Sequence, residues 1–133
     1  GAIVQKDTIG HALRNHMGAD MMHDAMRSDV YRAMYDSAAL GSSAEVKADL
    51  KEHAEEFRAQ VATNKELSLN PAIREALSAV ETPMEEYISY GEKLVPLAFT
   101  NLESAKVSWQ EFQKRFSVLE EEMGKVTDLI QEE

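Results

Sequence analysis

The chain is predicted to be all-α: an antiparallel up-down-up-down bundle of four helices forming one domain over residues 1–133. Three observations carry this. Apolar residues recur at alternating steps of three and four through four long segments, the spacing that keeps one stripe of a helix facing its neighbours. Only six Gly and three Pro interrupt the chain. No segment alternates apolar and polar residues between turn dipeptides, as a half-buried strand would.

The first helix covers about residues 8–39, opening at Asp7 or Thr8, with Ile9, Ala12, His16, Ala19, His23, Met26, Val30 and Ala33 on one seam. Two histidines therefore sit among apolar positions. Gly41 supplies a C-terminal glycine, and Ser42 with Glu45 forms a capping box in which the side chains satisfy orphan backbone donors. The second helix, about 43–64, places Val46, Leu50, Ala54, Phe57 and Val61 on its seam. Asn70-Pro71, a cap followed by proline at the first helical position, opens the third helix at about 71–99. Its stripe is Ile73, Leu77, Val80, Met84, Tyr87, Leu94 and Ala98. Pro83 removes a donor and crowds the preceding turn, which predicts a kink, and Pro96 predicts a further bend or an end. Thr100 or Asn101 caps the fourth helix, with Glu103 completing a box from Thr100.

The fourth helix, 102–133, carries the longest stripe: Leu102, Ala105, Trp109, Phe112, Phe116, Leu119, Met123, Val126 and Ile130. Heptad spacing of this kind must be buried against partner helices, here over about 48 Å at 1.5 Å per residue. The first and last helices are expected to be the long ones, with their free ends side by side at one pole. Ile130 is still on the stripe, no Gly or Asn stop follows, and Glu132 and Glu133 sit at the negative end of the helix dipole. Together with an opening Ala2-Ile3-Val4, this suggests that both ends continue, plausibly into two flanking membrane spans.

A net charge of −10 argues against nucleic-acid partners, whose phosphates would be repelled. Without cysteine there is neither a disulfide nor a thiolate centre. No run of eighteen apolar residues and no signal-peptide core is present. The sequence also lacks a Gly-rich phosphate loop, a nucleophile elbow, the Glu-x-x-His pair of di-iron bundles and a zinc-protease motif. Neither an enzyme nor a cofactor is expected.

The run Asp20-Met21-Met22-His23-Asp24-Ala25-Met26-Arg27-Ser28-Asp29-Val30 in the first helix carries a resemblance, with Phe112, Phe116, Leu119-Glu120, Met123, Val126 and Asp128 in the last. With Tyr87, Glu92-Lys93-Leu94-Val95 and Leu97-Ala98-Phe99 of the third, these positions resemble the extracytoplasmic four-helix-bundle sensor domain of bacterial methyl-accepting chemotaxis receptors. The resemblance covers nearly the whole chain. It implies a periplasmic ligand-binding domain set between two membrane spans, a homodimer formed through the first helix, and signalling by helix displacement to an output module. Sensor histidine kinases and cyclases carry similar bundles.

On the first helix His23, Arg27 and Tyr31 form a ladder at steps of four, with Asp24 alongside. Arg27 lies roughly 20 Å below the turn near residue 41, a depth shared by Tyr87, Tyr90 and Trp109 on other helices. A guanidinium fork among phenols, an indole and an imidazole suits a small carboxylate, such as an organic acid or amino acid. The plainer reading makes Arg27 and Asp24 a surface ion pair and places Tyr87 and Trp109 in the core. Arg32 is about 140° around the helix from Arg27, so it reaches the same ligand only from a partner subunit. Enteric amino-acid receptors of the family are similar in having several arginines on the first helix that clasp ligand from both subunits, and Arg27 and Arg32 are the positions that match. No metal site is predicted. The competing arrangement pairs His16 and His23, which are too far apart for one ion on one helix, with thioethers across a two-fold axis to hold copper, zinc or haem. A ligand-free interaction or spacer bundle is the remaining alternative.

Overall fold

The computed structural model describes residues 6–40, 43–67 and 69–132, which form α1 (Lys6–Leu40), α2 (Ser43–Glu66), α3 (Pro71–Thr100) and α4 (Leu102–Gln131). Among them there is no strand. α1 has 35 residues, α2 has 24, and α3 and α4 have 30 each, so α3 equals α4 in length and α2 is the one short helix.

Cross-helix pairs show that α1 runs antiparallel to both α2 and α4. Arg32 meets Asp49 while Asn15 meets Asn64 between α1 and α2, and His16 meets Met123 while His23 meets Phe116 between α1 and α4. The α1–α2 and α3–α4 hairpins form the broadest interfaces. α1 also touches α3 across one diagonal, whereas α2 and α4 do not meet among the described residues. The cross-section is thus a lozenge with α1 and α3 on its short axis. A hydrogen bond spans that axis, from the Tyr87 hydroxyl to the His23 carbonyl at 2.8 Å.

The seams follow the heptad spacing. His16, His23, Met26 and Val30 of α1, Leu50 and Phe57 of α2, Leu77 and Tyr87 of α3, and Phe112, Leu119 and Ile130 of α4 are all buried in one continuous core. Three stripe positions depart from it, the first being Ile9, which is only partly buried near the start of α1. Leu102 opens α4 at the end of the bundle and is 37 % exposed, and Phe116 is only half-buried at the edge of the seam.

The helix ends correct three expectations. α2 continues past Asn64 because that residue is buried and used: its amide donates to Ala12 O at 2.9 Å and accepts from Asn15 at 3.0 Å. α3 opens as expected, with Asn70 accepting from Ile73 N at 2.8 Å ahead of Pro71. It then runs uninterrupted through Pro83 and Pro96, because Met84, Leu94, Val95 and Ala98 keep its apolar stripe buried on both sides of each proline. Asn101, not Thr100, caps α4. Its side chain accepts from Ser104 N at 3.2 Å while its own N–H closes α3 on Leu97 O at 2.7 Å. Thr100 donates back to Pro96 O, and Glu103 pairs with Lys106, so the expected box does not form. The Gly41 stop and the Ser42 box lie outside the described residues, as does Glu133.

Phe112 is fully buried, with its ring centroid 4.8 Å from Tyr87 and 5.5 Å from Trp109. Phe112→Ala should cost about 3 to 5 kcal/mol, and Phe116→Ala less, by denaturant melts followed by circular dichroism. Pro83→Ala restores a missing donor to the interior of α3 and is expected to be neutral or stabilising in the same measurement.

Candidate functional site

Two imidazoles fix how α1 lies on α4. His16 donates from Nε2 to Met123 O at 2.9 Å and His23 from Nε2 to Phe116 O at 3.2 Å. A ring nitrogen facing a carbonyl must carry the proton, so both neutral rings are Nε2–H tautomers. Burial pushes both below the ordinary histidine range, although the two carbonyls and nearby carboxylates pull the other way. His23 stacks on Phe116 at 4.0 Å and 7°, with Tyr87 and Phe57 closing around it. Its Nδ1 is enclosed without a hydrogen-bond partner, 3.9 Å from Asp20 and 3.8 Å from Asp24.

On the outer side of this seam lies a shallow depression of about 340 Å³, lined by Asp24, Arg27, Ser28, Tyr31 and Phe116. Arg27 crosses from α1 over α4. Its guanidinium stands 5.7 Å from the Trp109 ring and 5.3 Å from the Phe116 ring, and Nη2 donates to Gln113 Oε1 at 2.8 Å. No carboxylate lies within ion-pair distance of Arg27 among the described residues, so the Asp24–Arg27 pair allowed by the spacing does not form. Tyr31 and Tyr35 continue the aromatic surface, 4.5 Å apart and 6.1 and 6.3 Å from Trp109. They remain 48 % and 57 % exposed.

Of the predicted residues, Arg27 and Tyr31 therefore come together at one surface, while Trp109 is buried in the core beneath them at 9 % exposure, as the plainer reading placed it. His23 and Tyr87 share their level but are fully buried beneath it, and burial pushes the Tyr87 phenol well above its ordinary value. Tyr90 lies elsewhere, under the Arg115 guanidinium at 5.5 Å, in a groove lined by Glu81, Glu85 and Glu86 that repels anions. Arg32 faces α2, where it pairs with Asp49 at 2.9 Å and Asp29 at 3.3 Å. The buried Asp29 also binds His53, and burial lifts its carboxyl above the ordinary range against the pull of His53 and Arg32. Gln113, Ser28 and Tyr35 were not anticipated. Gln113 lies four residues beyond Trp109 and three before Phe116, and that spacing is the sequence signal for a shared face.

The paired-histidine metal arrangement finds both Nε2 atoms committed to carbonyls. No three His, Cys, Asp or Glu side chains converge on an ion position among the described residues.

Because both folded imidazoles titrate below 6.5, the unfolded chain binds more protons just under that pH. Stability should therefore be complete above about pH 7, fall as pH drops through 6.5, and level off once the folded rings protonate. Urea midpoints measured from pH 8 to 5 check this. His23→Gln, which keeps a donor but cannot titrate, should flatten the slope.

Comparisons of the chain with protein-family models, with curated proteins and with solved structures find no match, so the surface around Arg27 is read from its own geometry.

Proposed function

We propose that this bundle is the ligand-binding sensor domain of a bacterial transmembrane chemotaxis receptor, recognising a small carboxylate such as an organic acid or amino acid at the α1–α4 seam. The observation that carries the reading is the state of Arg27. In a chain with 24 acidic residues, its guanidinium is spread over two aromatic rings and bonded to a neutral amide. Preorganised in this way, it keeps donors for an incoming carboxylate without first breaking an ion pair. Tyr31 and Phe116 add stacking area beside it, backed by the buried Trp109. The exposed Tyr31 and Tyr35 lie on the outer face of α1, which supports self-association through that helix, with bound anion favouring the dimer. Arg32, held by Asp29 and Asp49, is left out of this site.

No helix among the described residues is long and apolar enough to cross a membrane. In the proposed receptor the spans flank the domain, which lies in the periplasm.

A thermal-shift panel of organic acids and amino acids identifies the ligand, since any compound binding only the folded state raises the melting temperature. Calorimetric titration of that ligand should then give a loss of about ten- to a hundredfold in Arg27→Ala, from removal of a charge-assisted contact of roughly 1.5 to 3 kcal/mol. Arg27→Lys recovers part of it, because an ammonium keeps the charge but not the fork. Ligand-free stability should hardly change. Unaltered affinity in Arg27→Ala sinks the site, and a matching loss of stability makes Arg27 a structural residue.

A further inference from the structure

About three turns along α1 from Tyr31 the same seam carries a different chemistry. A groove of about 450 Å³ runs between α1 and α4, with His16, Met17, Asp20 and Met21 on one wall and Glu120 and Asp128 on the other. Met17 and Met21 are 59 % and 65 % exposed, although thioether side chains ordinarily fill cores. Four residues apart, they stand one above the other with β-carbons about 6 Å apart, within range for two flexible side chains to place both sulfurs on one ion. His16, buried in the seam and donating from Nε2 to Met123 O, is five residues and about 140° around the helix from Met21, so it lines the groove without joining the two thioethers. Lys and Arg are missing from the lining, and three carboxylates make the groove attractive to cations. Gly124 on the α4 wall leaves the space open: a β-carbon there would meet nothing within 4 Å.

The donor set selects the ion. No three His, Asp or Glu side chains gather for zinc, calcium or magnesium among the described residues. Thioethers are poor ligands for such ions and good ligands for soft d¹⁰ cations, which accept two or three donors. We propose that Met17 and Met21 form a two-thioether site for a soft monovalent cation, Cu(I) or Ag(I), at the mouth of this acidic groove. The site is contained in one chain and does not use His23, whose Nδ1 is enclosed in the core.

The test uses protein carrying ¹³C-methyl methionine and ¹⁵N histidine, titrated with silver nitrate in chloride-free buffer and, anaerobically, with Cu(I) supplied as its acetonitrile complex. Of the seven methionine methyls, those of Met17 and Met21 should move and saturate at one equivalent, while the buried Met26, Met34 and Met84 and the nitrogen-15 signals of His16 stay in place. Met17→Leu with Met21→Leu, which changes two exposed side chains and leaves the core intact, should abolish saturable binding. The proposal is overturned if the double variant binds as wild type does, if all seven methyls respond alike, or if zinc moves the same methyls at the same concentration.

Discussion

The register of α1 on α4 rests on two hydrogen bonds from imidazoles to main-chain carbonyls, and the surface around Arg27 depends on that register. His16 and His23 are seven residues apart, and so are their acceptors Phe116 and Met123, so an antiparallel pair of heptads is pinned at two successive levels. Apolar seams alone are forgiving, because a Leu or Val stripe fits nearly as well one turn along. An imidazole N–H in the same seam is not forgiving. Slipping by a turn strands a buried donor, at about 1 to 3 kcal/mol each. With the rungs in place, Trp109, Gln113 and Phe116 arrive opposite Arg27 and Tyr31, and the cationic surface follows.

The other side of α1 is pinned by the same logic with charged groups. Asp29 is buried, yet it meets His53 and Arg32, and Arg32 carries the connection on to Asp49 of α2. Asn64 does the same lower down by reaching the Ala12 carbonyl, one main-chain acceptor already used by its own helix. α1 is thereby fixed in register on both flanks, and through Tyr87 also on the diagonal. Such polar links add little net stability over apolar packing, and their effect falls on which packing is chosen. This accounts for a helix that is the longest in the chain and yet has two histidines and an aspartate facing inward.

The four helices and nearly every seam position were legible because heptad spacing is a one-dimensional property, set by burial on one face. The end of α4's cap was less so: Thr100 and Asn101 offer the same chemistry one residue apart, and only the backbone decides that Asn101 closes α3 and opens α4 together. Pro96 did not end α3 for a related reason, since the local cost of a missing donor was outweighed by the apolar stripe that continues past it. Arg27, Tyr31 and Trp109 could be placed at one level by counting rise per residue. Which of the level's residues face water could not, because burial depends on the lozenge section, in which α3 leans inward and encloses Tyr87 while Tyr90 turns to Arg115. The Asp29–His53 contact joins residues 24 positions apart and leaves no periodic trace.

The rungs also constrain how a ligand at Arg27 can act. Phe116 is at once part of the depression, the ring stacked on His23 and the donor of the carbonyl that holds it. In the proposed receptor a bound carboxylate would therefore act on a residue that is part of the α1–α4 register. It can shift the two helices only by the difference in free energy with which it binds the two arrangements. One charge-assisted contact supplies roughly 1.5 to 3 kcal/mol, and breaking both rungs costs about 2 to 6 kcal/mol. At the middle of these ranges a full-turn slide of α1 past α4 costs more than a single anion contact supplies. A displacement small enough to keep both imidazoles on their carbonyls does not, and a receptor built on this bundle would signal through that smaller movement.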